Sequence, residues 1–140
     1  MKKALRILSV LMIVCLCALP LSACEGGIKG DEAKAFINDF FAAIVAEDYE
    51  TAEGMLHPQR PADLKAFLQT VEEKEGVDFQ NGIEIERYTG FSSSYYDSTV
   101  DGSTYELTMR TKVGEKTVRF VVEIVKNDAG YGIYNLNIDT

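Results

Sequence analysis

The chain has 140 residues, which suffices for one domain and is too short for two well-formed cores. Its 22 acidic and 14 basic residues give a formal net charge of −8, and such an acidic surface repels nucleic acid and anionic lipid headgroups. We therefore expect a single domain that does not bind nucleic acid. A single histidine also excludes a multi-histidine metal site.

The N-terminal segment has the pattern of a secretory signal. Its only charges are Lys2, Lys3 and Arg6, and an apolar stretch follows them. The uncharged stretch 7–23 is close to the ~18 residues of a membrane-spanning candidate, so an uncleaved anchor is the alternative interpretation. Pro20 interrupts a helix near the end of that stretch and argues against a spanning anchor.

A possible lipid-attachment motif follows the proline. Leu21, Ser22, Ala23 and Cys24 resemble the lipobox of bacterial lipoproteins. In that family the cysteine thiol receives a diacylglyceryl group and the leader is cut just before it. The resemblance therefore implies removal of residues 1–23 and a lipid anchor at Cys24 on the extracytoplasmic face of the cell membrane. Two acyl chains, at ~0.8 kcal/mol per buried methylene, give durable attachment.

The proposed cleavage changes the cysteine count and the charge. Cys15 and Cys17 would leave with the leader and Cys24 would carry lipid, so we expect neither a disulfide nor a cysteine-based metal site in the exported domain. The formal net charge would change from −8 to −11, because the leader holds three basic residues and no acid. Residues 24–30 form a short glycine-rich tether, and 31–140 the single domain.

The first half of the exported chain has helical periodicity. Asp31 is predicted to be the N-cap of a long helix over 32–47, whose apolar residues recur at spacings of three and four. Asp48 is predicted to cap a second, shorter helix. A third helix is expected to have Pro61 in its first turn and Gly76 at its end.

Beyond Gly82 the apolar period changes to two, which is typical of strands. The alternating apolar residues are Ile83 and Ile85; Tyr105, Leu107 and Met109; Val118, Phe120, Val122 and Ile124; and Tyr134, Leu136 and Ile138. Turn residues at 101–102, 114–115 and 127–130 predict hairpin connections, and 92–99 is predicted to be an edge strand, with a long loop as the alternative. Helices followed by an antiparallel sheet indicate an α+β domain with N-terminal helices packed on one face of the sheet.

The segment from Ala35 to Pro58, AFINDFFAAIVAEDYETAEGMLHP, resembles the opening of the nuclear transport factor two-like superfamily. That superfamily begins with a long apolar helix, an acidic and tyrosine-containing turn, a short helix and a proline exit. The resemblance implies that a curved sheet wraps the first helix into a cone with a pocket inside, over roughly 31–140. A cystatin-like single helix on a sheet is the alternative, which the three predicted helices disfavour.

A cone would direct some apolar residues toward a cavity, where small molecules bind. The candidates for a pocket wall are Phe40, Tyr88, Tyr105, Leu107, Met109 and Phe120. In the alternative interpretation the same residues simply pack a core.

Enzymes of the ketosteroid isomerase type in the same superfamily use an aspartate base with a tyrosine and a protonated acid as donors to the oxyanion. The chain contains an acid at Asp97 and tyrosines at 88, 95, 96, 105, 131 and 134. No local pattern matches the motifs of that enzyme, and tyrosines are also common strand formers.

Three further polar residues have both a chemical and a structural interpretation. His57, the only histidine, follows a helix and is interpreted as a structural residue at the helix end. Arg110 and Arg119 could receive an anion, but cross-strand pairing with Glu106 or Glu123 is the favoured interpretation. We identify no catalytic residue, cofactor motif or metal site by sequence.

These features predict a lipid-anchored, non-catalytic module that recognises a small apolar ligand, a peptide or an envelope protein. A pocket enzyme of the ketosteroid isomerase type and an accessory subunit of an envelope assembly are the alternatives.

Overall fold

The computed structural model of the chain describes residues 27–60, 63–94 and 101–139. The elements, in chain order, are α1 (Gly30–Val45), α2 (Tyr49–Gly54), α3 (Leu64–Glu75), a 3₁₀ helix (Phe79–Asn81), β1 (Glu84–Ser94), β2 (Ser103–Val113), β3 (Lys116–Asn127) and β4 (Gly130–Asp139). The predicted lipidation motif at 21–24, Pro61 and residues 95–99 of the predicted edge strand lie outside the described residues. Within the described ranges, no helix is long and apolar enough to cross a membrane.

The four strands form one antiparallel sheet in the order β1-β2-β3-β4. The predicted α+β class is therefore confirmed. The β2-β3 hairpin closes at the pair Val113 and Lys116, around Gly114, whose φ of 60° suits a residue without a side chain. The β3-β4 hairpin closes at Asn127 and Gly130. Both turns lie where the sequence predicts them.

The start of α1 differs from the prediction. Asp31 is not the N-cap, because helical structure begins at Gly30 and Lys29 occupies the cap position with extended backbone and no side-chain hydrogen bond. Asp31 lies in the first turn instead, where the partial positive charge of the helix N-terminus favours a carboxylate. The predicted cap of α2 is confirmed, since Asp48 accepts a hydrogen bond from the backbone N–H of Thr51 at 3.2 Å.

Helix α3 begins later than predicted and ends as predicted. Its first helical residue is Leu64, and its N-cap is Asp63, which accepts a hydrogen bond from the backbone N–H of Ala66 at 2.9 Å. Gly76 ends the helix in the left-handed conformation, with φ of 63°. Lys116 donates to the carbonyl of Glu75 and so joins this helix end to β3.

Helix α1 lies across the inner face of the sheet and contacts all four strands. The ammonium of Lys34 lies over the ring of Tyr88 in β1, and Gly30 lies against the hydroxyl of Tyr105 in β2. The rings of Phe41 and Phe120, on β3, are 4.8 Å apart. Phe36 meets Tyr131 of β4 edge to face at 4.9 Å. The hydrophobic core lies between this helix and the sheet.

The outer face of the sheet pairs its charges differently from the prediction. In the observed register Arg110 lies opposite Arg119, and Glu106 lies opposite Glu123. Because directly opposed like charges repel, the arginines pair with the outer strands instead. Arg110 Nε lies 3.0 Å from Glu86 Oε2 of β1, and Arg119 Nη2 lies 2.8 Å from Asp139 Oδ2 of β4. The predicted pairs with Glu106 and Glu123 are therefore wrong.

The segment after α2 adds to the free edge of β4. Leu56 and Ile133 form a parallel bridge, in which the N–H of Ile133 donates to the carbonyl of Met55 at 2.9 Å and the N–H of His57 donates to Ile133 at 2.8 Å. Gly132 permits this contact, because a Cβ atom there would lie 2.6 Å from the backbone nitrogen of His57. The glycine is required by close backbone approach.

We expect Gly132→Ala to destabilise the protein by about 1 to 3 kcal/mol, because the new methyl group pushes the backbone of residues 56 and 57 away from β4. Urea unfolding followed by circular dichroism measures the change. The matched control is Gly54→Ala, at a helical position with no atom within 4 Å of the added carbon, which should be neutral or stabilising by up to ~1 kcal/mol. Equal effects of the two substitutions would contradict the packing argument.

Candidate functional site

The six predicted pocket residues lie together between α1 and the inner face of the sheet. Met109 of β2 lies opposite both Tyr88 of β1 and Phe120 of β3 in the strand register. Phe40, Leu107, Met109 and Phe120 are completely or almost completely buried and belong to the hydrophobic core. Tyr88 and Tyr105 are partly buried and pack against that core. Their role as the wall of a ligand cavity stays a prediction.

A pocket that the sequence did not predict lies between α3, β4 and the segment after α2. Its volume is about 140 Å³. Its lining residues are Leu56, Arg60, Leu64, Phe67, Ile133, Tyr134 and Leu136. Six of these seven side chains are aliphatic or aromatic, so we call it the α3-β4 pocket and consider it the candidate binding site.

Local sequence places each wall of the α3-β4 pocket. Leu64 and Phe67 are three residues apart on α3, so they lie on one face of the helix. Leu64 is only 2% exposed, whereas Phe67 is 38% exposed and forms the outer part of this wall. The opposite wall comes from β4, through Ile133 and Leu136. The signal for these residues was the apolar periodicity of α3 and β4, but it does not say that these two elements meet.

One cation borders the pocket. The guanidinium of Arg60 lies over the ring of Tyr134, 5.5 Å from its centroid. Within the described ranges, no carboxylate forms an ion pair with Arg60. The backbone N–H of Arg60 donates to the carbonyl of His57 at 2.8 Å, which ties the arginine to the β4 edge. The pocket therefore combines apolar walls with a positively charged rim.

His57 is fully buried beside this pocket, and both of its ring nitrogens have hydrogen-bond partners. The backbone N–H of Gln59 donates to Nδ1 at 3.1 Å. Nδ1 is therefore an acceptor without a proton, and Nε2 carries the proton that it donates to Asn127 Oδ1 at 3.0 Å. Asn127 Nδ2 in turn donates to Gln59 Oε1 at 2.7 Å. Because each ring nitrogen already has a hydrogen-bond partner, neither has a free site for proton transfer or for a metal. This arrangement supports the structural interpretation of His57.

The tyrosines near the core have perturbed acidities. Burial raises the pKa of Tyr88 above its usual 10.0. Burial also raises the pKa of Tyr131, and the negative charge of Glu32 adds to that effect. At Asp48, the hydrogen bonds from Thr51 lower the pKa of the carboxyl group below 3.8. The pKa shifts of Tyr88, Tyr131 and Asp48 therefore follow from burial, from a neighbouring negative charge at Tyr131, and from helix capping at Asp48.

The remaining predicted site residues give no chemical constellation in the described part of the chain. Cys24 with its lipobox, Tyr95, Tyr96 and Asp97 lie outside the described residues. Over 27–60, 63–94 and 101–139 there is no group of three or more histidine, cysteine or acidic side chains arranged to hold a metal ion.

Comparisons of the chain with protein-family models, curated proteins and solved structures gave no significant match.

We expect Asn127→Ala to destabilise the protein by about 1 to 3 kcal/mol, because it leaves the buried Nε2–H of His57 without an acceptor. Chemical denaturation measures the loss, and ¹⁵N NMR of the imidazole should show the Nε2–H tautomer in the wild-type protein. The matched control is Asn137→Ala at an exposed position of β4, which should change stability by less than about 0.5 kcal/mol. A protonated Nδ1 at neutral pH would contradict the assigned network.

We expect stability to fall as the pH rises above 10.0, the usual tyrosine pKa. The raised pKa lets folded Tyr131 keep its proton while the unfolded chain has lost it, so the unfolded state binds fewer protons and alkali favours unfolding. Tyr131→Phe should make the loss of stability with pH less steep, and Glu32→Gln should do so partly. The control is Asp31→Asn, at the residue next to Glu32, which should leave the steepness of the stability loss unchanged. Denaturation midpoints measured below and above pH 10.0 test this, and unchanged steepness in Tyr131→Phe would refute it.

Proposed function

We propose that this protein is a membrane-anchored lipoprotein on the extracytoplasmic face, whose domain is a non-catalytic module for binding a small apolar ligand or a partner. The lipobox resemblance at Cys24 supports the location. The observation that carries the binding function is the α3-β4 pocket, with its apolar lining and single bordering cation. Small-molecule sites generally combine apolar walls with a few polar groups.

The size of the pocket indicates how much of a ligand it holds. Its volume of about 140 Å³ is close to that of an engineered cavity of ~150 Å³ that binds benzene. One aromatic ring or one branched aliphatic group therefore fills it. If the pocket has this binding function, an uncharged molecule of this size should bind in it and shift the NMR signals of the lining residues.

We also propose that the domain has the cone geometry of the nuclear transport factor two-like superfamily. Support comes from the order of three helices before the sheet and from α1, which contacts all four strands. Irregularities in the pairing of β1, and of β4 next to Ile124, favour a bent sheet, since bulges bend strands.

An accessory role in an envelope assembly is the second candidate, and one observation favours it. Phe91 of β1 is 79% exposed. Among the described strands, β1 pairs only with β2 and so has a free edge. An exposed aromatic residue on a free strand edge suits pairing with another chain. The ketosteroid isomerase alternative depends on Asp97, outside the described residues, and no observation favours it.

If the protein is a lipoprotein, its native form should have a defined N-terminus and the mass of the lipid-modified chain. We expect the native protein to begin at Cys24 and to carry a diacylglyceryl group on its sulfur, and we expect Cys24→Ala to keep the leader and lack the lipid. Mass spectrometry of protein purified from a bacterial host measures both. Membrane fractionation alone does not suffice, because an uncleaved apolar leader also binds membranes.

The chain supplies a matched control for this experiment. Cys17→Ala changes a cysteine within the apolar part of the leader, and it should leave both cleavage and lipid attachment unchanged. A native protein with a free thiol at Cys24, or with an intact leader, would refute the proposed anchor.

A further inference from the structure

Arg60, like Arg87, has no ion pair among the described residues, but Arg60 borders an apolar pocket. The chain has 22 acidic and 14 basic residues, so carboxylate partners are abundant. Arg110 and Arg119 each have one, in Glu86 and Asp139. Arg60, the arginine that lines the pocket, has none among the described residues.

Two contacts hold Arg60 in position at the rim. Its backbone N–H donates to the carbonyl of His57 at 2.8 Å, and its guanidinium lies over the ring of Tyr134, another lining residue. A cation-π contact is electrostatic and does not require any of the five N–H donors of the guanidinium to form a hydrogen bond. Those N–H groups match the geometry of a carboxylate, which an arginine binds through two parallel hydrogen bonds.

Glu53, an acidic residue that contacts the pocket wall, has its own hydrogen-bond partner. Glu53 Oε1 accepts a hydrogen bond from the backbone N–H of Leu64 at 3.2 Å, at the start of α3. The helix N-terminus stabilises that carboxylate where it lies. Arg60 consequently has no assigned carboxylate within the described structure, while the apolar walls fit one ring or branched aliphatic group.

From these observations we infer that the α3-β4 pocket binds an apolar group of about the size of a benzene ring that bears a carboxylate, and that Arg60 binds the carboxylate. This inference rests on the proposed binding function of the same pocket. The apolar walls supply affinity for the ring, and the arginine supplies selection for the anion. The carboxylate belongs either to a free small acid or to the C-terminus of a peptide chain that ends in an apolar residue.

Two isosteric probes separate the two parts of the inference. Phenylacetate carries the carboxylate, and phenylacetamide has the same size without the charge. Each is titrated into the ¹⁵N-labelled full chain in detergent micelles, and the amide signals of Ile133, Tyr134 and Leu136 report binding at the pocket. We expect dissociation constants on the order of 1 mM, as is usual for so small a ligand, and a ~3- to 10-fold preference for phenylacetate.

Substitutions assign the preference to one residue. Arg60→Gln should abolish the preference, so that the two probes bind equally, whereas Arg60→Lys should keep part of it. Arg119→Gln removes an arginine from the outer sheet face and should keep all of it. Raising the salt concentration to about 1 M should reduce the preference, because screening at that ionic strength extends to ~3 Å.

Substitutions in the apolar wall test the binding itself. Phe67→Ala should weaken both probes, since Phe67 lines the pocket. Phe91→Ala removes a more exposed aromatic residue of β1 and should weaken neither. Neither side chain belongs to the buried hydrophobic core, so neither substitution opens a cavity there.

Each outcome decides a different claim. Equal binding of the two probes to the wild-type protein, or a preference that persists in Arg60→Gln, would overturn the carboxylate inference and leave the binding function standing. If neither probe shifts the pocket amides, both claims fail. A peptide that ends in phenylalanine, compared with its C-terminal amide, then identifies the source: a preference for the free terminus indicates a chain end, and binding of phenylacetate alone indicates a small acid.

Discussion

Two backbone hydrogen bonds hold the segment after α2 against the edge of β4, and the pocket walls depend on them. They join Ile133 to Met55 and to His57. Without a side chain at Gly132, the two backbones approach closely enough for these bonds to form. This junction brings Leu56 and Arg60, from the connection to α3, beside the β4 residues that complete the α3-β4 pocket. It also covers part of an edge that would otherwise offer free N–H and C=O groups.

The buried imidazole of His57 makes this junction specific. Its ring binds Gln59 on one side and Asn127 on the other, so one side chain connects the α2-α3 segment to the β3-β4 turn. A buried polar group stabilises a fold only where its hydrogen bonds are complete, and here they are. The histidine thus has a structural role, whereas Arg60, three residues later, borders the α3-β4 pocket.

Sequence reasoning located the elements better than it located their contacts. The spacing of apolar residues and the local preferences of the backbone predict the helices, both hairpin turns and the caps at Asp48 and Gly76. Residues close in sequence determine all of these features. The partners of Arg110 and Arg119 depend on strand register: the β2-β3 ladder places Arg110 opposite Arg119 and Glu106 opposite Glu123, so the predicted ion pairs were wrong. The pocket was missed for a related reason: its walls join residues 56–67 to β4, which is distant in sequence.

The proposed anchor changes what a weak pocket can do. A site for one ring and one carboxylate has an affinity on the order of 1 mM, which is too weak to capture a dilute free molecule. Confinement on one membrane with short linkers, however, raises effective concentrations to about the millimolar range. A partner anchored beside this protein, with an apolar terminal residue within reach, would then occupy the pocket for much of the time. Weak recognition and lipid anchoring are therefore compatible, because confinement on the membrane raises the effective concentration enough to offset the low affinity of a small contact area.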